Sequence, residues 1–267
     1  MAEVLGIDVS HHNGQIDWDY VAKNGKKFAI LKCQYEAKSH RIDEYFEYNY
    51  KEAGKYGLTR GVYVFIASDS IKDPVLDAKA LLDKLHGRSL EYGIWLDLES
   101  AALRKIGKAA ITNLVYTYAN LFKAAGYYVG IYCNKDWYDN VVDSKLLSKD
   151  FDFWIARYPK NDDGRYYSTS SLKPSKYAVA WQYSSKGNVP GVKTKCDLNV
   201  DFDGMVNLLG KGGGTKKTPR EVAKEVLDGK WGTKDTNPTR EQLLTAAGYN
   251  YREIQKIINN IYRGIND

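Results

Sequence analysis

A closed α/β barrel of eight strands, followed by a small all-helical module, is the architecture this sequence predicts. Three observations carry the prediction. Short apolar runs alternate with helical patterns through the first part of the chain. Eight such runs fit within about the first 210 residues. A glycine- and lysine-rich stretch then gives way to a segment whose apolar spacing is helical throughout. Strand–helix alternation favours a parallel sheet, and eight strands in that length favour closure into a barrel over an open sheet.

The strand candidates are 4–10, 28–36, 61–68, 93–100, 129–134, 153–158, 178–184 and 196–202. Each is a short run rich in apolar, β-branched or aromatic residues. Helical patterns occupy 43–56, 74–86 and 108–125. The connections after Tyr158 and Ser185 are short or irregular, so the last three strands are expected to lack regular crossover helices. Residues 1–209 are read as the barrel domain and 210–217, Gly210-Lys211-Gly212-Gly213-Gly214-Thr215-Lys216-Lys217, as a flexible linker.

Residues 218–267 are read as three helices. Thr218 is an N-cap with Pro219 at the first helical position, and Val222, Val226 and Leu227 form an apolar face. Thr239 opens a second helix with Leu243 and Leu244 apolar, and Gly248-Tyr249-Asn250 breaks it. The third, 251–262, turns Ile254, Ile257, Ile258 and Ile261 inward. So small a module needs an anchor, and Trp231 is expected to be it.

Composition narrows the function classes. Of 267 residues 43% are hydrophobic, enough for a sizeable core, and 22 Tyr, 6 Trp and 7 Phe give a heavy aromatic load. Tyr and Trp rings stack on sugar faces while their polar ends bond hydroxyls, which suits a carbohydrate site. The net charge is +6, and +4 of it lies in 211–267, where 11 Lys and Arg face 7 Asp and Glu. That excess favours an anionic surface such as a bacterial wall. No basic stripe or nucleic-acid motif is present, so no nucleic-acid partner is expected. Cys33, Cys133 and Cys196 are too few and odd for a disulfide framework, and the first two sit in apolar runs as small core residues. His11 and His12 are adjacent, and His40 and His86 lie on polar segments, so neither a metal nor any other cofactor is expected. Gly212-Gly213-Gly214 lacks the strand context of a phosphate loop. No run is long enough to span a membrane. Met1-Ala2-Glu3 leads straight into Val4-Leu5-Gly6-Ile7, and this N-terminus reads as leaderless.

The candidate chemistry lies in Gly93-Ile94-Trp95-Leu96-Asp97-Leu98-Glu99-Ser100, where an apolar strand runs into two carboxylates. Strand side chains alternate, so Asp97 and Glu99 share a face. Burial and mutual repulsion raise such pKa values, supplying a protonated acid near neutral pH, as glycoside hydrolysis requires. A solvated strand end would show the same spacing. Other strands change the odds: Asp8 ends the first and Asp197 lies in the last. In a parallel barrel such ends converge on one mouth. Asp201 is read instead as a cap or solvated residue.

Gly6-Ile7-Asp8-Val9-Ser10 with Asn13-Gly14, Gly61-Val62-Tyr63, Trp95-Leu96-Asp97-Leu98-Glu99, Gly130-Ile131-Tyr132, Trp154-Ile155-Ala156-Arg157-Tyr158, Trp181-Gln182-Tyr183-Ser184 and Asp197-Leu198-Asn199 follow one another in that order. In this order and spacing the chain resembles the family-25 glycoside hydrolases, the lysozyme-type N-acetylmuramidases of phages and bacteria, over about residues 4–209. The resemblance implies a TIM-like eight-stranded barrel with about five crossover helices. It implies Glu99 as the general acid and Asp97 as its partner, orienting the substrate N-acetyl group or stabilising charge at C1. It implies Asp8 and Asp197 as supporting acids, and β-1,4 cleavage after N-acetylmuramic acid with net retention. Whether Asp97 or the substrate acetamide is the nucleophile stays open. Tyr63, Tyr132 and Trp181 are candidates to line the sugar groove, with barrel packing as the alternative. The chain departs from the family pattern at Gln34-Tyr35-Glu36-Ala37, where a Glu-Gly turn is usual, and at Tyr63-Val64-Phe65, where a His is usual.

The tail, through 222–232 and 243–249, resembles a cell-wall-binding repeat of phage lysins. The resemblance implies a tether to peptidoglycan that raises local substrate concentration. The expectation is therefore a peptidoglycan muramidase made in a host cytoplasm and released onto the wall as a phage endolysin, with no membrane insertion. Two rivals remain: a hydrolase of another N-acetylhexosamine polymer such as chitin, and a non-catalytic wall-binding protein. The sequence carries no signal for an oligomeric state.

Overall fold

The computed structural model describes residues 3–36, 41–85, 87–202 and 217–265. Ten strands lie among them: β1 (Val4–Val9), β2 (Phe28–Lys32), β3 (Gln34–Glu36), β4 (Arg41–Ile42), β5 (Thr59–Phe65), β6 (Ile94–Asp97), β7 (Val129–Asn134), β8 (Phe153–Ala156), β9 (Ala180–Gly187) and β10 (Cys196–Asp201). The barrel helices are α1 (Trp18–Lys23), α2 (Phe46–Lys55), α3 (Ser68–Lys72), α4 (Pro74–Leu85), α5 (Ala101–Ala124) and α6 (Ser144–Leu147). Eight strands close in the order β1-β2-β5-β6-β7-β8-β9-β10, and β3 pairs with β4.

Strand alternation sorts the side chains into two cores. Inside the barrel, Phe28, Ile30, Trp95, Tyr132, Trp154 and Ala156 pack with Tyr92, Val179 and Ala180, and Tyr63 packs against them. The other face of the same strands, including Ile7, Leu31, Val62, Leu96, Ile131 and Ile155, packs under the helices. Trp95 meets Trp154 edge-on at 5.9 Å, and Tyr132 lies 4.3 Å from Trp154. Such a plug needs room on the neighbouring strand. A Cβ at Gly130 would lie 2.4 Å from the Trp95 ring, so only glycine fits there.

Three features differ from the sequence expectation. First, β10 runs antiparallel to both neighbours, although the other six contacts around the barrel are parallel. The segment between β9 and β10 is too short for the crossover that a parallel pair requires. Second, the run 28–36 splits: Cys33 leaves the barrel strand, and β3 turns away to form a hairpin with β4. Third, α5 starts at Ala101, with Ser100 as N-cap, and Gly107 (φ 79°, ψ 163°) breaks it just before the predicted start at 108. No helix intervenes between β8 and β9 or between β9 and β10, as the irregular connections suggest.

The tail forms α7 (Pro219–Leu227), α8 (Arg240–Ala246) and α9 (Tyr251–Tyr262). Thr218 and Thr239 both build capping boxes. Trp231 is 2% exposed, packs edge-on to Tyr249 and donates to Glu225. Ile254 and Ile258 are buried, and Ile257 and Ile261 are partly so. The tail also touches the barrel. Asn120 donates to the Lys230 carbonyl at 2.8 Å, and Lys230 pairs with Asp150 at 2.6 Å. The segment read as a linker lies, apart from Lys217, outside the described residues. Among the described residues no helix is long and apolar enough to cross a membrane.

Candidate active site

The mouth of the barrel is built by the upper interior positions of its strands. Asp8 ends β1 opposite Asp197 of β10. Asp197 reaches the same mouth because it begins an antiparallel strand, just as the other acids end parallel ones. Asp97 ends β6 beside Phe65 and Tyr132. Pairing continues one residue further, since Leu98 N bonds the Tyr132 carbonyl at 2.9 Å. The backbone thus stays extended through Leu98, and Glu99 remains on the face of Asp97. Ser100 then caps α5.

The four acids differ in depth. Asp97 is 4% exposed and Asp8 7%, whereas Asp197 is half-buried and Glu99 is exposed. Burial pushes the Asp97 carboxyl well above its ordinary range, with the Glu99 and Asp8 charges adding to it. Burial also raises Asp197, with help from Asp8 and Glu99, to about 8. Glu99, exposed at the rim, is still raised by partial loss of solvent around its carboxyl in the mouth, offset in part by Lys32. Asp8 rises by burial to about 6, opposed by hydrogen bonds from Asn199 and Gln182. The mouth therefore holds acids whose environments push them apart, so protonated and ionised groups coexist near neutral pH.

Two further facts concern their partners. The Asp97 Oδ1 is buried with no hydrogen-bond partner among the described residues. Asp8 Oδ1, by contrast, accepts from both Gln182 Nε2 and Asn199 Nδ2 at 2.8 Å.

Of the aromatics named from sequence, Tyr63 and Tyr132 belong with the interior, and Tyr132 spends its hydroxyl on Gln182 at 2.8 Å. Trp181 is not brought to the acids. It is 2% exposed on the outer face of β9, beside Tyr166 and Tyr183, and its indole donates to the Arg157 carbonyl. Asn134 caps the turn after β7, accepting from Trp137 N at 3.0 Å. Asp201 is not solvated: it is fully buried at the far end of β10, opposite Val4, and the residues it would cap lie outside the described residues. The three cysteines are free and buried. His11 pairs with Asp43 at 2.7 Å, while His40 and His86 lie outside the described residues. Among the described residues no cluster of His, Cys, Asp or Glu is disposed to hold a metal.

Sequence reasoning missed Lys32, Gln182 and Tyr158 as site residues. Lys32 shares a face with Phe28 and Ile30, and its ammonium lies 6.0 Å from the Tyr63 and Phe65 rings. It supplies positive charge beside the acids. Strand alternation from Phe28 would have found it.

The family model for glycosyl hydrolases family 25 matches residues 7–192. The chain belongs to this family. Within it, the chain is 26% identical over 204 residues to an autolytic lysozyme of Clostridium acetobutylicum, covering 75% of the family-25 chain and 56% of that longer protein. It is 28% identical over 218 residues to lysozyme M1 of Streptomyces globisporus, covering 77% of this chain and 70% of the other. The solved bacterial lysozyme of Streptomyces coelicolor superposes with a TM-score of 0.63 at 25% identity, covering 79% of this chain and 99% of that one. A CW_7 repeat model matches residues 220–262 of the family-25 chain, the three-helix tail.

Proposed function

We propose that this family-25 chain is a peptidoglycan muramidase, cleaving the β-1,4 bond between N-acetylmuramic acid and N-acetylglucosamine with net retention. The observation that carries the reading is the convergence of Asp8, Asp97, Glu99 and Asp197 on one mouth, with Glu99 outermost and Asp97 deep and underbonded. Glu99 is the exposed acid whose pKa is raised, so it meets the leaving glycosidic oxygen and gives it a proton. As the bond to C1 breaks, the buried Asp97 Oδ1 accepts the N–H of the substrate acetamide. That bond aims the acetamide carbonyl oxygen at C1, where it closes a cyclic intermediate. Water then adds to C1, losing its proton to Glu99, and the ring opens with the original configuration restored. Asp8, ionised near neutral pH, supplies negative charge that favours positive charge at C1, with Asp197 beside it as a supporting acid.

The names of the relatives support the substrate class, and the tail supports the place of action. We place that action at the bacterial cell wall, in the manner of a phage endolysin, with residues 218–267 as the wall-binding module and residues 1–209 as the catalytic domain. The test is release of reducing ends from purified Gram-positive wall and from chitin, with mass spectrometry of the products. Muramic-acid reducing ends from wall, and little release from chitin, are expected. Preferential release from chitin would reassign the substrate, and wall binding without any release would leave a binding protein.

A further inference from the structure

We propose that Gln182 is a positioning residue: clasped by the phenols of Tyr132 and Tyr158, it turns its amide N–H to Asp8 and holds that carboxylate ionised in the barrel mouth. The inference deepens the muramidase reading, since Asp8 is one of the acids that reading employs. It rests on the hydrogen bonds of two amides, one of them fixed in direction by an indole. Asn199 Oδ1 accepts from Trp154 Nε1 at 2.9 Å, and an indole nitrogen only donates. Asn199 must therefore present its NH₂ to Asp8 Oδ1 at 2.8 Å. Gln182 Nε2 donates to the same Asp8 Oδ1, also at 2.8 Å, while its Oε1 accepts from the Tyr132 hydroxyl at 2.8 Å and from the Tyr158 hydroxyl. One carboxylate oxygen thus receives two N–H donors whose own acceptors are engaged elsewhere. Two N–H donors on one oxygen favour the charged form, against the cost of burying it.

The clasp is built across four strands. Gln182 lies beside Ala156 of β8 and Asn199 of β10, and Tyr132 comes from β7. Tyr158 follows β8; its hydroxyl is turned inward to Gln182 while the residue is 40% exposed. A ligand entering the mouth would meet the Tyr158 ring, and through Gln182 would meet Asp8. The charged groups facing Asp8 are Glu99 and Asp97 from β6 and its following loop and Asp197 from β10, while Lys32 on the neighbouring β2 faces Asp97 and Glu99. The Tyr63, Tyr132 and Tyr158 phenols and the Cys196 thiol complete its surroundings.

The test measures Asp8 directly. Carboxyl carbon shifts are followed by NMR against pH in the full chain, with Asp8→Asn identifying the Asp8 signal, for wild type, Gln182→Met and Gln182→Glu. Loss of one N–H donor to the charged form is expected to raise the Asp8 midpoint by about one pH unit in Gln182→Met. Gln182→Glu keeps the shape, replaces a donor with an acid, and is expected to raise it further. The acid limb of kcat for wall hydrolysis should move in the same direction, and KM should change less than kcat. Unchanged Asp8 midpoints in both variants would overturn the proposal. The titration is independent of turnover, so a wild type that releases no muramic-acid ends would refute the muramidase reading while leaving this inference to stand or fall on the shifts.

Discussion

Replacing Asp8 by asparagine should stabilise the protein at neutral pH while impairing its function. Asp8 is 7% exposed, so solvent screens its charge little. Burial lifts its pKa from 3.8 to about 6, even with Asn199 and Gln182 bonding the charged form. A rise of that size corresponds to about 3 kcal/mol. The sign follows from proton binding. The folded acid holds its proton more tightly than the unfolded one, so the native state carries the extra proton between the two values. Stability is therefore full below about pH 4, declines as pH rises toward 6, and above that bears the whole cost of the buried charge. Asparagine removes the titration and keeps the geometry, because its amide oxygen can take the place of Oδ1 before the same two donors. Urea unfolding by near-UV circular dichroism should give similar stabilities for both proteins near pH 3.5. Above pH 7 the variant should lead by about 3 kcal/mol. Relief of Asp97 and Asp197, both raised in part by Asp8, adds to the lead. Parallel stability curves from pH 3.5 to 8, or a variant less stable throughout, would refute the reasoning. A gain in stability with a loss of turnover is the usual mark of a site that function has kept strained.

The other predictions concern separate parts of the molecule. Glu99→Gln should lower reducing-sugar release from wall by about 10²–10⁴-fold, and because Glu99 is exposed its stability should stay within about 0.5 kcal/mol of wild type; equal release by both proteins would remove Glu99 as the acid. Gly130→Ala should cost about 1–3 kcal/mol, since its Cβ would lie 2.4 Å from the Trp95 ring; an unchanged melting temperature would show that the interior plug is loosely packed. Trp231→Ala should cost about 3–5 kcal/mol, more than so small a module holds in reserve. Co-sedimentation with wall should then fall, while turnover of a soluble glycan oligomer persists; loss of both would mean that the tail supports the barrel itself, through contacts such as Lys230–Asp150.

What could be read from the sequence, and what could not, divides along one physical line. Local periodicity placed the strands, because each run that must be buried on both faces is apolar and short. It also placed the carboxylates: Asp97 and Glu99 share a face by alternation alone, and Asp8 falls in register two residues beyond Gly6. What periodicity lacks is the partner. The direction of β10 depends on how much chain separates it from β9, and its antiparallel course sends Asp197 up to the mouth and Asp201 down to the buried far end. The hairpin β3–β4 depends on a partner strand that only the fold supplies.

Trp181 and Gln182 show the same limit at the scale of one residue. In a soluble sheet with one wet face, the apolar member of such a pair faces the core. In a barrel wrapped by helices and loops both faces are dry, so apolarity no longer decides which side chain turns inward. The indole finds its acceptor outside, on the Arg157 carbonyl, and the amide is left to the interior. There its two ends divide the work, the oxygen on two phenols and the nitrogen on Asp8. A polar residue facing an aromatic interior is costly unless every polar atom is bonded. Gln182 meets that condition only because Tyr132, Tyr158 and Asp8 arrive from other strands. The residue that looked least like chemistry in the run Trp181-Gln182-Tyr183 is thus the one the fold ties to the acids, and a position of that kind is found by asking which buried polar atoms satisfy one another rather than by which residue types are reactive.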